Sequence, residues 1–243
     1  MNDLITLLER YAPGYSTRIQ GASDWALSSL EEAFGQPLPE IYQDFAREMG
    51  KDGGALLAHV DGYDPLHIAD IYQFSAGELP PRRFLFIFAD PSPLTRNHYW
   101  LDLEAQTEEG DFQVVRFPLF QDAWKTDLNR SYVSLREMLY LWAMEYVYLP
   151  GFPHRTLYHQ GDGQKTTTAE ELAQYLEKMG FVRLPYPRYS MLFERGDAAI
   201  GLYRLPDSPH FQIHVGMRSL DKLKYFQAVV EDNTDVKKSI WPP

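Results

Sequence analysis

Hydrophobic positions recur at helical spacing through the first fifty residues. Asn2 to Tyr11 reads as a short amphipathic helix stopped by Pro13-Gly14. A second helix starts near Ser23, with Leu27, Leu30 and Phe34 on one face and Gly35 placed as a C′ glycine. Pro39 suits the first turn of a third helix, in which Ile41, Phe45 and Met49 recur every four residues with Tyr42 beside them. Gly50 and then Gly53-Gly54 close it.

After this the apolar residues come in short runs between turn residues, which predicts strands over Ala55–Val60, Leu66–Tyr72, Phe84–Ala89, His98–Leu103 and Phe112–Phe117. The turn Glu108-Glu109-Gly110-Asp111 joins the last two as a hairpin. Ser134 and Glu137 have capping-box spacing, and Val133 with Met138 forms a hydrophobic staple. The helix they open turns Leu135, Met138, Leu139, Trp142 and Tyr146 inward. Pro150-Gly151-Phe152-Pro153 marks a boundary, giving regions 1–150 and 151–243. The second region opens on a loop flanked by His154 and His159. Thr168 and Glu171 then cap a helix carrying Leu172, Tyr175, Leu176 and Met179, which stops at Gly180. Strand-like runs follow at Phe181–Leu184 with Tyr189–Glu194, Ala198–Leu205 and Phe211–Val215, and Arg195-Gly196-Asp197 turns between the second and third. Ser219 opens a last helix, and the polar tail from Asp232 reads as loose. The class is α+β, with a smaller α-β-β-β-α segment at the end.

Composition narrows the function. The 243 residues include 14 Phe, 16 Tyr and 5 Trp and no cysteine, enough for a real core and incompatible with disulfides, thiolate nucleophiles or cysteine zinc sites. The start, Met1-Asn2-Asp3-Leu4-Ile5-Thr6, has an acid where a signal peptide has base, and no run approaches the length of a membrane helix. The expectation is a soluble cytoplasmic protein. Net charge is −11, and residues 1–150 hold 23 of the 34 acidic but only 11 of the 23 basic residues. Such a surface repels phosphate backbones and anionic lipid and steers basic partners inward, so direct nucleic-acid and membrane binding are disfavoured.

Catalytic motifs are missing. His210 and His214 share a strand face, but no third metal ligand is local. Gly161-Asp162-Gly163-Gln164-Lys165-Thr166 lacks the upstream glycine of a phosphate loop, and Gln164 separates its lysine from Gly163. Asp61-Gly62-Tyr63-Asp64 lacks the spaced oxygens and closing Glu of a calcium loop. No G-x-S-x-G elbow is present. No cofactor is implied. What remains is the acidic set Asp61, Asp64, Asp70, Asp90, Asp102, Glu104, Glu108, Glu109 and Asp111, interspersed with Tyr63, Tyr72 and Tyr99. It reads either as a solvated surface or as a docking face whose charge speeds association and whose aromatics anchor it.

Residues 27–54 carry a recognisable series: Leu27, Leu30-Glu31, Phe34-Gly35, Leu38-Pro39, Ile41-Tyr42, Phe45 and Gly53-Gly54. The series resembles the opening of SUKH-superfamily domains, and over about residues 20–148 the later strands and closing helix follow in that family's order. The exit reads Met49-Gly50-Lys51-Asp52-Gly53-Gly54, where many relatives have Asn before the glycine pair. The resemblance implies a mostly antiparallel sheet packed with helices, no shared catalytic residues, and a common role as an immunity protein. Such a protein binds and neutralises a cognate polymorphic toxin, nucleases and deaminases among them. Two other readings stay open: a regulatory or scaffolding adaptor, and an enzyme built on His154, His159, His210 and His214.

Overall fold

The computed structural model describes residues 1–75, 77–92, 96–107, 110–120, 122–160 and 167–239. Among them the helices are α1 (Asn2–Tyr11), α2 (Asp24–Phe34), α3 (Glu40–Met49), α4 (Pro65–Phe74), α5 (Ala123–Thr126), α6 (Leu135–Trp142), α7 (Ala169–Lys178) and α8 (Leu220–Asn233). The strands are β1 (Phe84–Phe88), β2 (His98–Gln106), β3 (Phe112–Phe117), β4 (Asn129–Tyr132), β5 (His154–Gln160), β6 (Val182–Arg183), β7 (Met191–Arg195), β8 (Ala198–Arg204), β9 (Phe211–Met217) and β10 (Val236–Lys238). They form two antiparallel sheets, ordered β1-β2-β3-β4 and β10-β5-β9-β8-β7-β6, so the α+β class holds. The chain divides into compact units Met1–Leu139 and Tyr140–Pro243. The division falls inside α6, ahead of the proline-glycine break at 150–153.

In the first unit, the cap signals of α2 hold, and Pro39 is the N-cap of α3, one residue ahead of its first turn. Ser23 Oγ accepts from Ala26 N–H at 3.2 Å, and Gly35 ends α2 in the left-handed region at φ 79°. α3 buries Ile41, Tyr42, Phe45 and Met49. β2 and β3 pair as the expected hairpin, with Trp100 opposite Val115 and Leu101 opposite Val114. Two expected strands are something else. Ala55–Val60 is a short 3-10 turn, Gly54–Leu56, followed by further turns. Leu66–Tyr72 belongs to α4: Asp64 accepts from Leu66 N–H at 2.8 Å and Pro65 occupies the first helical turn. A short apolar run fits strand or helix equally, and this cap followed by proline decides for helix. Ile68, Ala69 and Tyr72 then fall on one buried face.

β1 is buried along its whole length and is an edge strand, so its unpaired backbone groups need partners. Tyr72 supplies two of these partners. Its hydroxyl donates to the Phe84 carbonyl at 3.1 Å and accepts from Phe86 N–H at 2.9 Å. At the end of β1, Asp61 and Ala89 exchange backbone hydrogen bonds of 3.0 and 2.7 Å, continuing the closure.

The second unit corrects two expectations. His154–Gln160 is not a loop but the strand β5, between β10 and β9. Its inward side chains are Thr156, Tyr158 and Gln160, so an apolar alternation never shows in the sequence. The tail after Asp232 carries structure too, as far as Lys238. α8 runs to Asn233, and β10 pairs Val236 with Gln160. The Thr168–Glu171 capping box has both bonds, at 3.1 and 2.9 Å. Leu172, Leu176, Leu223, Phe226 and Val230 from α7 and α8 cover one sheet face, packing on Tyr158, Phe193, Ile200, Ile213 and Val215. Opposite them, Gly201 and Gly216 leave room for Met144, Leu149 and Phe152. A Cβ at Gly216 would stand 2.8 Å from Leu149 Cδ2.

Replacing Tyr72 with Phe leaves the Phe84 carbonyl and the Phe86 N–H buried without this partner. The expected loss of stability is about 1–3 kcal/mol, measured by urea denaturation. A loss below about 0.5 kcal/mol, within the range of ordinary surface changes, contradicts the role assigned to the hydroxyl.

Candidate functional site

The acidic and aromatic residues singled out in the sequence separate into groups with different work to do. Asp111, expected on the docking face, is 2% exposed. Its carboxylate accepts from the N–H groups of Phe112, Leu135 and Arg136 at 2.6, 3.2 and 2.8 Å, capping α6 beside Ser134, which accepts from Glu137 N–H. Burial pushes its carboxyl up, against the lowering by these three N–H groups. Tyr72 is equally withdrawn, sealing β1. Asp102 is buried and receives Arg83 Nη2 at 2.7 Å, while Arg83 Nη1 reaches Glu104 at 2.8 Å. Asp90 binds Arg116 Nη2 at 2.6 Å, and the same guanidinium lies 4.6 Å from the ring centre of buried Tyr99. Asp90, Asp102 and Glu104 are neutralised within the fold by arginines that sequence spacing does not connect to them. Glu108 and Glu109 lie outside the described residues.

Asp61, Tyr63 and Asp64 do come together. With Lys51, Gly62 and His67 they line an open concavity of about 390 Å³. Asp61 is fixed by its backbone pairing with Ala89, and Asp64 by capping α4. Gly62 turns between them at φ 64°. The other wall begins at the glycine-rich exit of α3. The Gly53 carbonyl accepts from the Tyr15 hydroxyl at 2.6 Å, and its N–H donates to the Tyr63 hydroxyl at 3.4 Å. Tyr15 also accepts from Leu56 N–H at 2.8 Å. A side chain at Gly53 would run into buried Leu57, with Cδ1 only 2.3 Å from its Cβ. Asp52, which the sequence reading passed over, therefore has a fixed place: its Oδ1 accepts from Gly54 N–H at 2.8 Å. Partial burial pushes the Tyr63 phenol up, and the charges of Asp52, Asp61 and Asp64 push it the same way.

The surface continues along α4. His67, Asp70 and Phe74 are exposed at i, i+3 and i+7, one helix face, and Phe74 is 83% exposed. Among the described residues, Asp52, Asp61, Asp64 and Asp70 make no ion pair, in contrast to Asp90, Asp102 and Glu104. Phe74 and His67 were missed because this stretch reads as a strand; a helical reading would have put them beside Asp70. The arrangement provides negative charge in excess of the cation Lys51, a phenol and an exposed benzyl ring. It has no nucleophile and base at bonding distance.

In the second unit, His159 and His210 border one cavity, whereas His154 and His214 do not. His214 Nδ1 lies 3.5 Å from Glu145 Oε1. Among the described residues no group of three His, Asp or Glu side chains is placed to hold a metal. The segment Gly161–Thr166 lies outside the described residues. Nor is any described helix long and apolar enough to cross a membrane.

No family model, curated protein or solved structure matches this chain.

If the carboxylates act on Tyr63 as placed, changing Asp61 and Asp64 together to Asn lowers the Tyr63 phenol pKa and keeps the α4 cap, which Asn also serves. Ring-carbon NMR titration measures this. An unchanged Tyr63 titration in the double variant contradicts the geometry.

Proposed function

We propose that this chain is a cytoplasmic immunity protein of SUKH type, which binds a basic toxin domain and occludes its active site. One observation carries the reading: Asp52, Asp61, Asp64 and Asp70, which make no ion pair among the described residues, lie on one stretch of surface with Tyr63 and the exposed ring of Phe74. Internal pairing would serve stability equally well and would leave no field outside the molecule. Unpaired acids around a half-buried phenol and an exposed ring instead suit a partner that brings its own cations. The charges accelerate encounter, and the rings, once desolvated, hold the complex. A nuclease domain, which carries a basic groove for its phosphate substrate, has the complementary surface. The resemblance over residues 27–54 supports the same reading, because its Gly53-Gly54 exit is the element that sets Asp52 and Tyr63 in place.

The test is capture of tagged full-length chain from its native cell, followed by kinetics on the partner obtained. The expected result is one stoichiometric partner ending in a small basic domain, bound at nanomolar strength or better. Asp61→Lys with Asp70→Lys should slow association at least about tenfold at low salt and flatten its salt dependence. Neither residue makes an ion pair among the described residues, so the fold tolerates the change. Several weak partners would favour an adaptor. A single partner whose association ignores both substitutions would remove this face from the account.

A further inference from the structure

The six-stranded sheet of the second unit carries a site of another kind on the face away from α7 and α8. His159 in β5 pairs with Gln212 in β9, and Gln212 pairs with Tyr203 in β8. Paired residues on neighbouring strands project to one side, roughly 5 Å apart. An imidazole, an amide and a phenol therefore stand in one row. Alternation along β9 sets Gln212 opposite Phe211 and Ile213, which are buried against the helices. The next row on the same side, Leu157, His214 and Gly201, runs beneath the segment that brings Met144 and Glu145 to the sheet. Leu205 and His210, from the β8–β9 connection, rim the row of His159, Gln212 and half-buried Tyr203. Together with Gln160 and Phe211 these residues bound a cavity of about 110 Å³.

Three properties decide what such a cavity accepts. The first is size. An apolar cavity of about 150 Å³ holds a benzene ring, so a half-open space somewhat smaller suits one flat ring. The second is charge. No Asp, Glu, Lys or Arg is among the described lining residues, and the next charge in the row is the cation Lys237, which pairs with His159, so a cationic ligand would lose its hydration without a counter-charge. The third is chemistry. The Gln212 amide presents an acceptor and a donor side by side, between two ring systems that offer faces for stacking.

We propose that this cavity binds a single non-cationic heteroaromatic ring with adjacent hydrogen-bond donor and acceptor atoms, the class to which the pyrimidine bases belong. Gln212 reads the polar edge, and Tyr203 and His159 hold the ring. The site is separate from the acidic face, and its fate does not bear on that reading.

The probes are uracil and benzene, titrated into the full chain and followed by amide chemical shifts. Uracil should saturate with a dissociation constant on the order of 1 mM, as suits a ligand of this few atoms. The shifts should centre on residues 159, 203 and 212. Benzene, lacking the edge, should bind at least about tenfold more weakly. Gln212→Leu, at an exposed position, should weaken uracil binding to the benzene level while the melting temperature stays in place. Oligouridine in a parallel titration separates the sources: tighter binding than uracil points to nucleic acid, binding of the free base alone to a metabolite. The proposal is overturned by no saturation with uracil or oligouridine, by equal binding of benzene, by shifts confined to other residues, or by a Gln212→Leu variant that binds uracil normally.

Discussion

An edge strand buried on both faces must have its free backbone groups satisfied, and in the first unit that constraint organises much of what surrounds β1. Tyr72 can reach Phe84 and Phe86 only if α4 lies along the strand, and the Asp61–Ala89 pairing joins the chain to the end of the same edge. Those two attachments fix both ends of Asp61–Tyr72. The concavity around Tyr63 is thus a by-product of closing a sheet, held by backbone and hydroxyl bonds instead of by its own carboxylates. A site built this way can keep its charges unpaired, because they are not needed to hold the fold.

The disposition of the acids follows from that division of labour. Where an acid lies within the sheet or under a helix, burial without a partner would be costly, and each such carboxylate has one: Arg83 for Asp102, Arg116 for Asp90, and three N–H groups for Asp111. On the turn and helix outside β1 no such requirement acts. The negative field of the first unit therefore comes from a subset of its acids, and formal net charge alone does not locate it.

How far the sequence could be read depended on which signals were local. Helix boundaries at Ser23, Gly35, Thr168 and Ser219 were legible because cap and stop residues act within one turn. The hairpin of β2 and β3 was legible from its apolar runs and glycine turn. α4 was misread because seven apolar-rich residues fit either period, and the Asp64-Pro65 start was outweighed by the run after it. β5 was hidden because its buried positions are Thr, Tyr and Gln, and β10 because three residues of strand gain meaning only from the partner they pair with. In the candidate site, Asp61, Tyr63 and Asp64 could be named from sequence. Their separation from Asp90, Asp102 and Asp111 could not, since it rests on arginines and N–H groups brought in by the fold.

The central claim is that the unpaired acidic face beside β1 is where a partner docks. Hydrogen exchange of the full chain, alone and saturated with its co-purified partner, tests this most directly. The account predicts protection gained over residues 51–74, above all at the Asp61–Asp64 turn and along α4. Protection confined to residues 140–243, with exchange at 51–74 unchanged, would contradict it.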